Sequence, residues 1–175
     1  KRRVPDCSLC VEVAYLDINQ MRSTFTELAT LLLGDAKQAK SFMSKAKLHS
    51  MEELEDSWWN LYEKLLSTGR AVELSLKIEL EDFLYNVQKL IHNKNLSTDE
   101  NLTGDVSIDT SAFDDSQYIG DWCAHFNSTW KNHKLVGMDI GTDSLVLMVL
   151  SNEEFKRAQE LAKELLHRID VAERL

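Results

Sequence analysis

Cationic side chains are scarce in this chain. It carries 20 Lys and Arg against 29 Asp and Glu, a net charge of −9 at pH 7. Nucleic acid is bound through clustered Lys and Arg that displace counterions. The only such cluster is Lys1, Arg2 and Arg3 at one end. The balance argues against nucleic acid and against an anionic membrane surface, and it suits a cationic protein partner. Long hydrophobic runs are missing too: no stretch reaches the ~18 apolar residues that span a bilayer. No secretory signal is visible. The chain opens on Lys rather than Met, which is compatible with a removed leader. Six glycines leave no glycine-rich phosphate loop, and nothing suggests a dinucleotide fold. The five histidines are scattered, with no His-Glu-x-x-His pair, and there is no Gly-x-Ser-x-Gly elbow. His92 and His167 fall near expected helix C-termini, where a cation is favoured. Three cysteines make a poor disulfide framework and point to a reducing cytoplasm. Asn-x-Ser/Thr sequons at Asn95, Asn101 and Asn127 argue the other way. Two of them lie in a polar loop where such triplets arise by chance.

What is present is a globular pattern. At 175 residues and 43% hydrophobic, residues 1–175 are most simply one domain with a sizeable core. Met21, Phe25, Leu28 and Leu32 share one helical stripe, and Gly34 stops it. Asp35 can cap a second helix carrying Ala36, Ala39, Phe42, Met43 and Ala46 inward. Ser50 and Glu53 have capping-box spacing at the start of a third helix, with Leu54, Trp58, Leu61, Tyr62 and Leu65 inward. The period then changes. "AVELSLK" alternates as a half-buried strand, with Val72, Leu74 and Leu76 on one face. Glu79–His92 returns to helical spacing. Residues 93–116, rich in Asn, Asp, Ser and Thr, read as an exposed loop or insertion. Ile119, Trp122, Cys123, Phe126 and Trp130 form the stripe of a fifth helix. Two strands, "KLVGMDI" and "SLVLMVL", follow. A last helix to about Arg168 points Phe155, Ala158, Leu161, Leu165 and Ile169 inward. The expected class is α+β: about six helices packed on a small, largely antiparallel three-stranded sheet.

"MDIGTDSLVLMVL" poses the sharpest functional question. An Asp, a Gly-Thr pair and an apolar run look like the first phosphate loop of the actin and sugar-kinase ATPases. Such a loop needs a second phosphate loop and an adenosine pocket, and only one helix can follow the second strand here. "GTD" between two β-rich runs is instead hairpin chemistry, with Gly141 in an unusual backbone angle and Asp143 closing the turn. Leu145, Leu147 and Val149 share one face of the second strand. Val146, Met148 and Leu150 share the other, so this strand should be central and covered on both sides. Asp139 is expected to alternate onto the face of Leu135 and Gly137, with a turn amide or Ser144 as its donor.

"LVGMDIGTDSLVLMVLSNEEFKRAQELAKELLHRI" together with "AVELSLKIELEDFLYNVQKL" resembles the DUF6630 family, an uncharacterised bacterial family of unknown function. The resemblance lies in a strand, an Asp-x-Gly-x-Asp-Ser turn (Asp139, Gly141, Asp143, Ser144), a second strand and a closing helix. Upstream, a strand leads into an acidic helix start at Glu81 and Asp82. Where the family has a Trp-Lys pair, this chain has Leu76-Lys77. The resemblance implies a fold family and no activity, so it assigns no catalytic residue.

Each remaining candidate has a structural reading beside the functional one. Cys7 and Cys10 have half of a zinc spacing, with Cys123 and His125 as conceivable partners. Cys123 sits on an apolar stripe, however, where a thiol behaves as a small hydrophobe. Trp58 falls on its helix stripe. Trp59 is turned about 100° away and is either a boundary residue or an exposed anchor for a partner. The acids Glu52, Glu53, Glu55, Asp56, Glu79, Glu81 and Asp82 lie near helix N-termini, where they complement the macrodipole. No cofactor, metal ligand or catalytic constellation emerges. The first reading is a non-enzymatic cytoplasmic module that binds a protein, in the manner of an immunity protein by analogy only. Its candidate binding residues are Trp59, Lys77, Asp82, Asp139 and Asp143, and its oligomeric state is open. The alternative is a small enzyme whose site is assembled from Lys77, Asp82 and Asp139. A pocket where two of these converge would favour the enzyme; an exposed apolar patch at Trp59 would favour the binder.

Because only Cys123 and scattered histidines remain as further ligands, Cys7 and Cys10 are expected to carry no metal. Elemental analysis of protein purified without added metal should find zinc far below one per chain.

Overall fold

The computed structural model describes residues 17–94 and 108–175. Cys7, Cys10, Asn95 and Asn101 lie outside the described residues. The first three helices are α1 (Ile18–Leu33), α2 (Ala36–Met43) and α3 (Met51–Ser67). Their ends follow the sequence signals closely. Gly34 takes a left-handed φ of 63° and returns its N–H to the Thr30 carbonyl. The Asp35 side chain accepts from the N–H groups of Lys37 and Gln38 at 2.7 and 2.9 Å. Ser50 accepts from Glu53 N–H, but the Glu53 carboxylate reaches the N–H of His49 at 2.8 Å, one residue before the cap.

Strand β1 (Val72–Ser75) and helix α4 (Leu80–Asn93) come next. Leu76 was expected on the apolar face of β1. It is instead 53% exposed, because the strand ends at Ser75 and the chain turns. Lys77 N–H donates to the Ser75 hydroxyl and Ile78 N–H to the Ser75 carbonyl. Within the polar stretch 93–116, a short 3-10 turn covers Thr110–Ala112, and Ile108 and Phe113 pack against the core. Helix α5 (Ile119–Thr129) carries the expected stripe, and all five stripe residues are buried.

The sheet has four strands, not three. Strands β2 (His133–Met138), β3 (Ser144–Ser151) and β4 (Ile169–Val171) join β1 in the order β1-β3-β2-β4, with every pairing antiparallel. Between β3 and β4 runs helix α6 (Asn152–Glu164). It was expected to reach Arg168 with Ile169 on its inner stripe. It stops four residues earlier, and Ile169 is buried through β4, opposite Met138. Leu166 makes the change of direction with a left-handed φ of 61°.

The architecture is therefore α+β with the sheet in the middle. Val136, Met138, Val146, Met148 and Leu150 face one core with α1, α2, α3 and α6. Leu135, Leu145, Leu147 and Val149 face a second core with α4 and α5. β3 is interior and apolar on both faces, as its sequence indicated. Gly137 lies on the second face, where an added Cβ would fall 2.2 Å from Leu175 Cδ1.

Asn127 ties α5 to β2 at Leu135, one residue short of where β4 pairs with that strand. Its amide donates to Leu135 O and accepts from Leu135 N, both at 2.8 Å, and donates to Glu173 at 2.6 Å. The side chain is buried, so this sequon is closed to a glycan in the folded protein. Asn127→Ala leaves the Leu135 N–H without its partner in the core, which costs about 2 kcal/mol. Urea unfolding should show this as a lower midpoint at unchanged slope.

Candidate functional site

The β2–β3 connection spans residues 139–143, five residues rather than three, because Asp139 leaves the ladder. Its N–H donates to Arg168 O at 3.0 Å, and its carbonyl accepts from the indole N–H of Trp58 at 2.8 Å. These two bonds pull residue 139 off β3 and toward α3. Asp139 was expected to continue the strand alternation onto the Leu135 face; it is an exposed turn residue instead. Its carboxylate accepts from Gly141 N–H at 2.9 Å, the local turn amide its sequence position suggested. Gly141 has a φ of 71°, where a side chain would be strained. The stretch is a hairpin turn.

A polar strap fixes the far side of this turn. The Glu73 carboxylate on β1 accepts from Tyr62 Oη of α3 at 2.6 Å and from the Ser144 hydroxyl, which itself lies 2.7 Å from Thr142 Oγ1. The Ser144 and Tyr62 hydroxyls hold Glu73 below the usual carboxylate range. Burial, reinforced by Glu73, pushes the Tyr62 hydroxyl up to about 12. A charged acceptor with two hydroxyl donors is an anchor for the turn.

Between α3, the turn and the segment after α6 lies an open groove of about 360 Å³. Glu55, Trp58 and Trp59 line it from α3, Asp139 and Ile140 from the turn, and Leu166 and His167 from beyond α6. Trp58 is buried and stacks on His167, with ring centroids 4.1 Å apart and planes 8° from parallel. Trp59 is 42% exposed and meets Tyr62 edge-on at 5.1 Å. Leu166 is 67% exposed.

His167 departs most from expectation. A cation was favoured at the end of α6, but the imidazole is 10% exposed and burial pushes its pKa below the ordinary 6.5, against the pull of Glu55 and Asp139. Its Nε2 is buried without a hydrogen-bond partner. Glu55 Oε1 stands at 3.7 Å, within Coulomb range but too far for a hydrogen bond.

Of the residues singled out from sequence, the fold brings Trp59 and Asp139 to this groove. Lys77 and Asp82 do not line it. Both are exposed on the α4 side of the sheet, in the turn after β1 and in the first turn of α4. Asp143 is exposed at the turn tip. Glu55, Leu166 and His167 were not visible as groove residues. Glu55 reads as an ordinary helix-start acid, and nothing in "LLHRI" announces a left-handed leucine. Burial pushes the Cys123 thiol up to about 12, so it stays protonated and unreactive. Among the described residues no group of three or more His, Cys, Asp or Glu could hold a metal ion.

A four-stranded antiparallel sheet with helices on both faces defines the class: an α+β domain. The chain belongs to the family described as Domain of unknown function (DUF6630), which matches residues 20–172. Comparisons with curated proteins and with solved structures found no match.

The lowered pKa of His167 has a signed consequence. Below the unfolded-state value near 6.5 the unfolded chain binds this proton and the folded chain resists it. The contribution of His167 to stability is therefore complete above pH 6.5 and is lost as pH falls through the lower folded pKa. His167→Phe keeps an aromatic ring against Trp58 without the titration. Its midpoint should fall less than that of the parent protein between pH 7 and pH 5.

Proposed function

We propose that this protein is a non-enzymatic binding module that docks a protein partner in the groove beside Trp59. The carrying observation is Leu166. A leucine in the left-handed region is strained by about 1 kcal/mol, which a glycine would avoid. Here the strain holds an apolar side chain outward, next to an exposed indole and Ile140. Exposed aromatic and aliphatic side chains around a groove are the usual anchors of a protein interface. The net charge of −9 favours a basic partner, as for an immunity protein that neutralises a basic toxin. The cytoplasm suits this reading, since Cys123 is a buried free thiol. So does the absence, among the described residues, of any helix long and apolar enough to cross a membrane. The assembled-enzyme alternative has no observation in its favour, because neither Lys77 nor Asp82 borders the groove that Asp139 enters.

A photo-crosslinking residue at position 59 should give a discrete adduct with one basic protein in the native cell. The same residue at Tyr85, 67% exposed on α4, should not. Equal adducts at both positions, or none at 59, would remove the proposal. Leu166→Gly separates binding from stability: we expect a gain of about 0.5 kcal/mol in unfolding free energy together with a weaker adduct at 59.

A further inference from the structure

Three features of the groove concern its electrostatics and not its apolar rim. The first is an open aromatic ring: Trp59 lines the groove and is 42% exposed, whereas Trp58 and His167, stacked on each other at 4.1 Å, are buried. The second is a pair of carboxylates that no Lys or Arg pairs with among the described residues. Glu55 stands 3.7 Å from His167 Nε2 and is 65% exposed, and Asp139 lines the groove beside it. Burial lowers the pKa of the His167 imidazole against the pull of both carboxylates. Arg168 also borders the groove, but its guanidinium is engaged elsewhere, donating to Asp170 at 3.2 Å and to the Arg174 carbonyl. The third is His167 itself, a polar side chain nine-tenths buried in the groove wall whose Nε2 meets no partner.

From this arrangement we infer that the groove is a receptor for one arginine side chain of a protein partner, its guanidinium seated against the Trp59 indole and meeting Glu55 and Asp139. The inference rests on the docking role proposed above and names the group that is docked. A planar cation is attracted by the faces of aromatic rings and lies flat on them, while its edge donors meet carboxylates. Lysine, a compact and strongly hydrated charge, exploits a flat ring less well. The volume of about 360 Å³ accommodates a guanidinium with its aliphatic stem, and the exposed Leu166 side chain can cover that stem. The acidic net charge of the whole chain draws such a partner in.

The test uses the purified full chain and three small probes: N-acetyl-arginine amide, its neutral isostere N-acetyl-citrulline amide, and N-acetyl-lysine amide. Binding is read from the indole and imidazole NMR signals of Trp59 and His167. The arginine probe should shift these signals with a Kd on the order of 1–10 mM. The lysine probe should bind more weakly, and the citrulline probe about tenfold more weakly or not at all. Glu55→Gln should weaken the arginine probe by about fivefold, while Asp82→Asn, on the far side of the sheet, should leave it unchanged. Equal binding of arginine and citrulline, or indifference to Glu55→Gln, would overturn the inference. So would shifts that follow protein concentration in the absence of probe, which would make a second copy of the chain the occupant. The two proposals fail separately. A discrete adduct at position 59 with no arginine binding defeats the cation receptor alone. Arginine binding with no adduct at 59 defeats the protein-docking role and leaves a guanidinium site whose ligand is not carried by a protein.

Discussion

Everything in this fold depends on β3 having two apolar faces. A strand with one wet face needs a single layer of cover; Ser144–Ser151 alternates Leu and Val with Val, Met and Leu, so neither face can meet water. Burying side chains of this size is worth about 1.5–3 kcal/mol each. That requirement divides the helices, with α1, α2, α3 and α6 over one face and α4 and α5 over the other. It also puts β3 inside the sheet, with β1 and β2 as its flanking partners. Two cores fed by one strand explain why six helices, among the described residues, serve so small a sheet.

The turn beyond β3 inherits its position from this division. α3 belongs to the first core, and there its Trp58 indole can capture the Asp139 carbonyl. That capture ends β2 at Met138 and opens the groove. Glu73, on β1, faces the same side and anchors the other flank of the turn through Tyr62 and Ser144. The groove is thus set by α3 on one side, while the turn residues 139–141 and the 166–168 segment that line the rest are free of helix and strand.

How far this could be read from sequence differs by element. The helices were legible because each carries a complete apolar stripe and a recognisable stop, as with Gly34 and Asp35. The apolar faces of β2 and β3 were legible because period two over eight residues fixes them. β4 was not: three residues are too few to show a period, and Ile169 happens to fall four residues after Leu165, the spacing of a continuing helix. Leu76 was misplaced because alternation alone cannot show that a Ser75 turn ends the strand. At the groove, Trp59 and Asp139 were visible as individual residues. Glu55, Leu166 and His167 were not, since their roles come from a left-handed residue and a stacking contact that only the tertiary structure creates.

The sheet order also ranks the sheet's contacts in time. β2 and β3 are joined by five residues and can meet as soon as both exist. Val72 finds its register partner Leu147 only after a closure of about 75 residues, and such long closures carry the larger entropic cost. β1 is accordingly a late arrival to an edge that β3 leaves unpaired until then. An unpaired edge beside an apolar strand invites pairing with another molecule. During synthesis β1 emerges long before its partner, so concentration and the speed of translation bear on the yield of this protein as much as its final stability does.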